Sequence, residues 1–105
     1  MKMYEKEFRM SVYFIANIKI HNLREYEKYL EDYDEFFARY HGKVIAVDES
    51  PTILEGKWPY TRAVLTRFPN EYELKRWYDS PEYQALAKHR WQASEADIIV
   101  VHGRE

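Results

Sequence analysis

The chain has 105 residues, with 16 lysines and arginines against 18 aspartates and glutamates, for a formal net charge of −2. It contains no cysteine, which excludes a disulfide scaffold and a thiolate zinc site. Aromatic residues make up 17% of the chain beside only 3 glycines and 4 prolines, which excludes collagen-like and disordered chains and favours one globular domain.

Charge and hydropathy argue against nucleic acid and membranes as partners. The net charge is slightly negative, and no short window concentrates lysine and arginine as a nucleic-acid interface does. No apolar run approaches the roughly 20 residues of a membrane span. Residues 1–10 mix both charges and lack the apolar core of a secretory signal, so we predict an extension there, one domain at residues 11–105 and a cytoplasmic location.

The first half of this domain predicts a strand, a helix and a second strand. The residues from Ser11 to Ile20 are β-branched or aromatic at odd and even positions alike, which is typical of a strand buried on both faces. Asn22 and Glu25 form a capping-box pattern, after which apolar residues recur every three or four positions as far as His41-Gly42. This spacing predicts one amphipathic helix of about five turns. The second strand is predicted at Lys43 to Asp48.

The second half predicts a strand, two consecutive helical segments and a final strand. Tyr60 to Phe68 is the third predicted strand, and Asn70 then repeats the capping pattern at the start of a short helix. Ser80-Pro81 starts a further helix that runs to about Glu95, with serine as the N-cap and proline at the first helical position. Its apolar stripe is predicted to consist of Tyr83, Leu86, Ala87 and Trp91. Ile98 to Val101, apolar at both parities, is the last predicted strand.

This order predicts an α+β fold of the ferredoxin-like βαββαβ type, a four-stranded antiparallel sheet with the helices on one face. Three of the strands are apolar on both faces, although the helices cover only one of them. A monomer would therefore expose more apolar surface than soluble monomers tolerate. We predict a homodimer that packs sheet against sheet.

Two polar residues lie within these apolar strands. Strand parity places Asn17 and Arg67 on the face that points into the space between the two sheets. A buried arginine requires a carboxylate partner or an anionic ligand. The alternative to a ligand is an ion pair in the dimer interface with an acid such as Glu55.

Neither a metal nor a cofactor is predicted. The four histidines lack the short spacings of metal ligands, and the three isolated glycines form no phosphate-binding or dinucleotide-binding pattern. His89 is the best-placed histidine for acid–base chemistry, and the alternative is an exposed helix residue. Trp58 lies in a predicted turn, where a tryptophan indicates a pocket rim or a dimer contact.

Several motifs resemble the domain of unknown function 1330 family, over about Val12 to Gly103. The resemblance is carried by Arg62, by Phe68-Pro69, and by the runs Leu54-Glu55-Gly56-Lys57-Trp58 and Trp77-Tyr78-Asp79-Ser80-Pro81-Glu82-Tyr83-Gln84. Further matches are Tyr26, Tyr29, Gly42, Arg90 and Gly103. The family is similar to the dimeric α+β barrel superfamily, which implies a dimer independently of the apolar faces.

The resemblance implies no established activity for the family itself. Superfamily relatives include cofactor-independent monooxygenases, muconolactone-isomerase-like enzymes and haem-binding proteins, all of which use a pocket between sheet and helices. This chain departs from the family pattern at one position, since Arg67 stands where an acidic residue usually precedes the Phe-Pro pair. If that position lines the pocket, the preference for ligand charge is altered or reversed.

The leading hypothesis is a homodimer that binds a small aromatic or anionic molecule between sheet and helices. Its pocket is predicted to be bounded by Asn17, Glu55, Trp58, Arg62, Arg67, Trp77, Tyr83 and Arg90. One alternative is a cofactor-independent monooxygenase or isomerase-like enzyme, with His89 or Tyr83 as the proton carrier. The other is a purely structural dimer with a filled interface and no ligand.

Overall fold

A computed structural model describes residues 11–104, so the extension predicted at residues 1–10 lies outside the described residues. The strands of its sheet are β1 (Val12–Ile20), β2 (Lys43–Asp48), β3 (Arg62–Phe68) and β4 (Ser94–His102). Helical segments are α1 (Leu23–Glu31), α2 (Tyr33–Phe37), α3 (Glu71–Tyr78) and α4 (Pro81–Ala93). The strand order is β2-β3-β1-β4, and all neighbours are antiparallel. This is the ferredoxin-like arrangement that the sequence predicts.

Side-chain caps fix the starts of three helices at the predicted residues. The Asn22 side-chain oxygen accepts a hydrogen bond from the Glu25 backbone N–H at 3.1 Å. The same bond forms from Glu73 to Asn70 at 2.9 Å, and Ser80 Oγ accepts from the Tyr83 N–H at 3.1 Å. Each cap satisfies a backbone donor that has no partner within the helix.

The prediction of a single five-turn helix after β1 is wrong, because the chain forms two helices that meet at Asp32. The backbone N–H of Asp32 donates to the Leu30 carbonyl, and the residue leaves the helical conformation at φ −110° and ψ 9°. After this break, α2 begins with a hydrogen bond from the Phe36 N–H to the Asp32 carbonyl, and both Phe36 and Phe37 are buried in the core.

The last helix and the last strand also differ from their predicted limits. Helix α4 ends at Ala93 because Ser94 takes an extended conformation and begins β4, four residues before the predicted strand. On α4 the predicted apolar stripe is wrong at one position, since Trp91 is 48% exposed. The buried position next to it is Arg90.

The sheet has one covered face and one open face. Val12, Phe14, Ala16 and Ile18 of β1 are buried against the helices, as their parity predicts. The alternate residues of β1 lie on the open face, which no helix of residues 11–104 covers. No helix in that same range is long and apolar enough to cross a membrane.

Trp77 is the centre of the core between α3 and the sheet. Its indole is fully buried, with ring centroids 4.4 Å from Tyr83, 5.1 Å from Phe14, and 5.4 Å from both Phe37 and Phe68. Four large rings in contact with a fifth bury much apolar area, so this cluster supplies a large part of the packing energy.

Candidate functional site

A cavity of about 380 Å³ lies between the covered face of the sheet and α1. Its floor is apolar and includes Ala16, Ile18 and Val64 from β1 and β3. Val44 and Val47 of the edge strand β2 also line it, and both are partly exposed, so the cavity opens toward that edge. This volume is in the range of about 300–1,000 Å³ that small-molecule sites occupy.

Three tyrosines form the helical wall of the cavity. Tyr26, Tyr29 and Tyr33 recur at steps of three and four, which places them on one face of the helical segment. Ring centroids are 5.5 Å apart for Tyr26 and Tyr29, and 5.4 Å apart for Tyr29 and Tyr33. Behind this wall the Tyr29 and Tyr83 hydroxyl oxygens are hydrogen-bonded at 2.7 Å. The wall therefore offers aromatic surface together with phenolic hydroxyls.

Arg90 lines the cavity from α4 and is 4% exposed. Its Nε and Nη2 atoms are buried and have no hydrogen-bond partner. The guanidinium carbon lies 5.9 Å from the centroid of the Tyr29 ring. Among residues 11–104, no carboxylate lies within ion-pair distance of Arg90. This is a buried positive charge without a partner of opposite charge in the described chain.

Arg62 enters the same cavity from the start of β3. Its Nη1 donates to Oε2 of Glu49 at 3.2 Å, whereas its Nε is buried without a partner. The guanidinium carbon lies 5.6 Å from the Tyr26 ring centroid. The Glu49 carboxylate is largely exposed to water, but it lies within ion-pair distance and is the counter-charge of Arg62.

The protonation states of the cavity are fixed near neutral pH. Burial raises the pKa of the Tyr29, Tyr83 and Tyr26 hydroxyls above their ordinary value of 10.0. Burial alone would lower the pKa of Arg90, but its interactions with the Tyr83 and Tyr29 hydroxyls outweigh burial and the pKa is raised. The cavity therefore presents neutral phenols beside cationic guanidinium groups.

Two of the eight predicted pocket residues, Arg62 and Arg90, line this cavity. Tyr83 is fully buried behind Tyr29, and the two hydroxyls are hydrogen-bonded. Trp77 lies behind Tyr83 in the closed core and is not part of the lining. The cavity therefore contains only some of the residues that were predicted to bound the pocket.

The other four predicted pocket residues lie away from the cavity. Asn17 and Arg67 are on the open face of the sheet, opposite the helices. Glu55 and Trp58 lie in the loop between β2 and β3, where Trp58 packs on Tyr60 with ring centroids 5.2 Å apart. Because the sheet separates its two faces, Asn17 and Arg67 do not share a cavity with Arg90, and Glu55 and Trp58 do not line that cavity either.

His89 lies at the surface of α4, with its side chain 41% exposed. Its Nδ1 is 2.7 Å from Oε2 of Glu25, and this hydrogen bond, followed by the one from Lys28, lowers the pKa of the Glu25 carboxyl. His89 does not line the cavity. Within residues 11–104, no group of three or more histidine, cysteine, aspartate or glutamate side chains forms a metal site.

The tyrosine wall is the part of the site that the predicted pocket omitted. Tyr26 and Tyr33 belong to the helical stripe that the sequence predicts to pack the core, whereas Tyr29 is named only through the family resemblance. One signal pointed to their second role: three tyrosines on one helical face carry hydroxyls that need partners when buried. Tyr29 finds Tyr83, and the cavity lies beside the ring of each of the three.

The family model described as "Domain of unknown function (DUF1330)" matches residues 11–104. The chain belongs to this family. No curated protein matches the chain. The family membership agrees with the resemblance found in the sequence motifs, and it assigns the protein to a family whose activity is not described.

Solved structures with the same fold come from several bacteria. A protein of unknown function from Rhodopseudomonas palustris has a TM-score of 0.76 at 16% identity, covering 99% of this chain and 90% of that one. SnoaB, a cofactor-independent oxygenase from Streptomyces nogalater, has a TM-score of 0.67 at 16% identity, over 90% and 94%. A dimeric ferredoxin-like protein of unknown function from Thermobifida fusca has a TM-score of 0.63 at 17% identity, covering 91% of this chain and 92% of that one. At these identities the likeness establishes the fold.

Proposed function

We propose that this protein is a homodimer that binds a small organic molecule in the cavity between the sheet and the helices. The observation that carries the proposal is Arg90, a buried guanidinium without a partner in the described chain, on the wall of an apolar and aromatic cavity. Apolar walls with a few convergent polar groups are the usual character of a ligand site. The cytoplasmic location stays a prediction.

An apolar row across the open face supports the dimer. Ile99, Ile15 and Leu65 are neighbours on β4, β1 and β3 in the cross-strand register. The Ile99 side chain is 58% exposed, and together these three aliphatic side chains form an apolar surface across the open face. A second copy of the chain removes this surface from water, and the structurally similar Thermobifida fusca protein is described as dimeric.

Charges at the two ends of the open face support one orientation of the dimer. Arg67 and Lys43 are cross-strand neighbours at one end of the strands, which is therefore positive. At the other end, Asp97 lies beside Asn17 and Asp48 lies beside Ala63, so that end carries two negative charges. A two-fold axis parallel to the sheets and across the strands places the positive end of one subunit against the negative end of its partner. Arg67 is then assigned to the interface.

Blocking the cavity mouth tests the ligand site. Val44→Trp fills the opening from the edge strand, and we expect it to weaken the binding of small aromatic ligands at least about tenfold. The measurement is isothermal titration calorimetry with the best ligand from a thermal-shift screen of small aromatic acids and amides, because a ligand that binds the native state raises the melting temperature.

Ile45→Trp is the matched control. Ile45 is the next residue on β2, is exposed to a similar extent, and does not line the cavity. Equal loss of affinity in both variants would contradict this location of the site. If no compound of the screen stabilises the wild-type protein, the purely structural dimer becomes the better description.

A second candidate function, cofactor-independent oxygenation or isomerisation, is favoured by the hydrogen-bonded Tyr29 and Tyr83 hydroxyls. Because burial raises both pKa values, both hydroxyls stay protonated, and the hydroxyl that accepts the mutual hydrogen bond keeps its own proton to donate to a developing oxyanion. Oxygen uptake with an electron-rich phenol such as 1-naphthol is the assay, and Tyr83→Phe is expected to slow it at least about tenfold. No uptake above the rate without protein, or an unchanged rate in Tyr83→Phe, contradicts this candidate.

A further inference from the structure

Among residues 11–104, Arg90 has no neutralising carboxylate within ion-pair distance. Its guanidinium carbon lies 5.9 Å from the centroid of the Tyr29 ring, and the Tyr29 hydroxyl is hydrogen-bonded to Tyr83. Both tyrosines are neutral because burial raises their pKa. A cation over an aromatic ring recovers only part of the hydration that a guanidinium loses on burial.

A dimer through the open face leaves this charge unpaired. Arg90 projects from α4 on the covered side of the sheet, whereas the proposed interface is on the opposite side. The sheet therefore separates Arg90 from the acidic residues of a partner bound there. Within the part of the chain that the structure describes, the remaining place for a counter-charge is the cavity that the guanidinium borders.

The charges around the cavity favour an anion with a single negative charge. Arg62 is paired with Glu49 at 3.2 Å, and Asp34 lines the cavity at an exposed position. Water screens Asp34, and its carboxylate lies beyond ion-pair distance of Arg90. Of the cavity-lining residues within 11–104, Arg90 is the buried cation whose charge remains uncompensated.

The hydrogen-bonding capacity of Arg90 matches a carboxylate. Nε and Nη2, the two atoms without an acceptor, are adjacent nitrogens of one planar guanidinium; both are closed to water in this structure, so a ligand reaches them through a shift of the Arg90 side chain toward the cavity. Two N–H donors side by side fit the two oxygens of a carboxylate, and hydrogen bonds between charged groups are about twice as strong as neutral ones. The tyrosine rings beside Arg90 suit an aromatic or apolar body on the same molecule.

We infer that the ligand is a small aromatic monocarboxylic acid whose carboxylate is bound by Arg90, an inference that rests on the proposed function. Arg90 thereby determines specificity for an acid over the corresponding neutral amide. Arg62, which is ion-paired with Glu49, contributes a second positive charge to the cavity. The apolar body of the ligand contacts the floor formed by Ala16, Ile18 and Val64.

The test compares 2-naphthoate with 2-naphthamide, a neutral molecule of nearly the same shape, on the full-length protein. We expect the wild type to bind the carboxylate at least about tenfold more tightly by calorimetry, because a charge-assisted hydrogen bond replaces a neutral one. Arg90→Met is expected to reduce that ratio to about one while amide binding persists. Arg76→Met is the matched control, because this exposed arginine is bonded to Glu73 away from the cavity, and it should keep the full ratio.

The outcomes separate the inference from the proposed function. Equal binding of both probes to the wild type overturns the carboxylate inference and leaves the ligand site standing. Binding of neither probe counts against both. The wild-type comparison decides the inference even where Arg90→Met fails to fold, and a folded Arg90→Met that keeps the tenfold ratio also overturns it.

Discussion

Replacing Trp77 with alanine is expected to destabilise the protein by about 3–5 kcal/mol, as large-to-small changes at buried tryptophan do. The side chain is fully buried, and its ring contacts those of Tyr83, Phe14, Phe37 and Phe68. The loss combines the transfer energy of the indole with the cavity left among rings that relax only partly. Chemical denaturation followed by circular dichroism measures the change in free energy of unfolding.

Trp91→Ala is the control for the Trp77 substitution. The Trp91 side chain is 48% exposed on α4, so its removal is expected to cost less than about 1 kcal/mol. The comparison also tests the pocket role that the sequence predicted for Trp77. If Trp77→Ala retains wild-type stability but loses ligand affinity, the assignment of Trp77 to the closed core is wrong.

Ile99→Lys is expected to raise the dimer dissociation constant at least about 30-fold, because it places a charge in the apolar row of the proposed interface. Ile99 lies in the apolar row with Ile15 and Leu65, and in a sheet-to-sheet dimer a lysine there would be buried without a carboxylate opposite it. Sedimentation equilibrium at several protein concentrations measures the dissociation constant directly.

Tyr72→Lys is the matched substitution on the other side of the molecule. Tyr72 is 72% exposed on α3, on the helical side of the sheet, so a lysine there should leave the dimer intact. A dimer that tolerates Ile99→Lys but dissociates with Tyr72→Lys would place the interface on the helices instead of the open face.

Most of the fold was predictable because its signals are local. The parity of β1 separates Val12, Phe14, Ala16 and Ile18 from the open face, and the structure confirms that division. Asn22, Asn70 and Ser80 each cap a helix at the predicted position because side-chain capping depends on only a few neighbouring residues. Right-handed connections then leave few topologies for this order of elements.

The break between α1 and α2 was not predictable from periodicity. The apolar spacing continues across Asp32 from Leu30 to Tyr33 and Phe37, so the pattern alone describes a continuous helix. After the break, Phe36 and Phe37 lie in the core, where the Phe37 ring contacts those of Phe68 and Trp77, residues distant in the sequence. Long-range contacts of this kind leave no local mark in the sequence.

The candidate site was predictable in its residue types and less so in its arrangement. Arg62 and Arg67 are five positions apart on one strand, so alternation alone places them on opposite faces of the sheet. A single pocket holding both was inconsistent with that parity. The absence of an acid near Arg90 in the described chain depends on residues distant in sequence, and only the folded structure reveals it.

The crystal structure of the full chain with 2-naphthoate tests the central claim most directly. We expect the aromatic rings in the cavity beside Tyr26 and Tyr29, with the carboxylate oxygens within about 3 Å of Arg90 nitrogens. A carboxylate bound at the open face near Arg67, or a naphthoate outside the cavity, would contradict the assignment of this cavity and of Arg90 as the binding site.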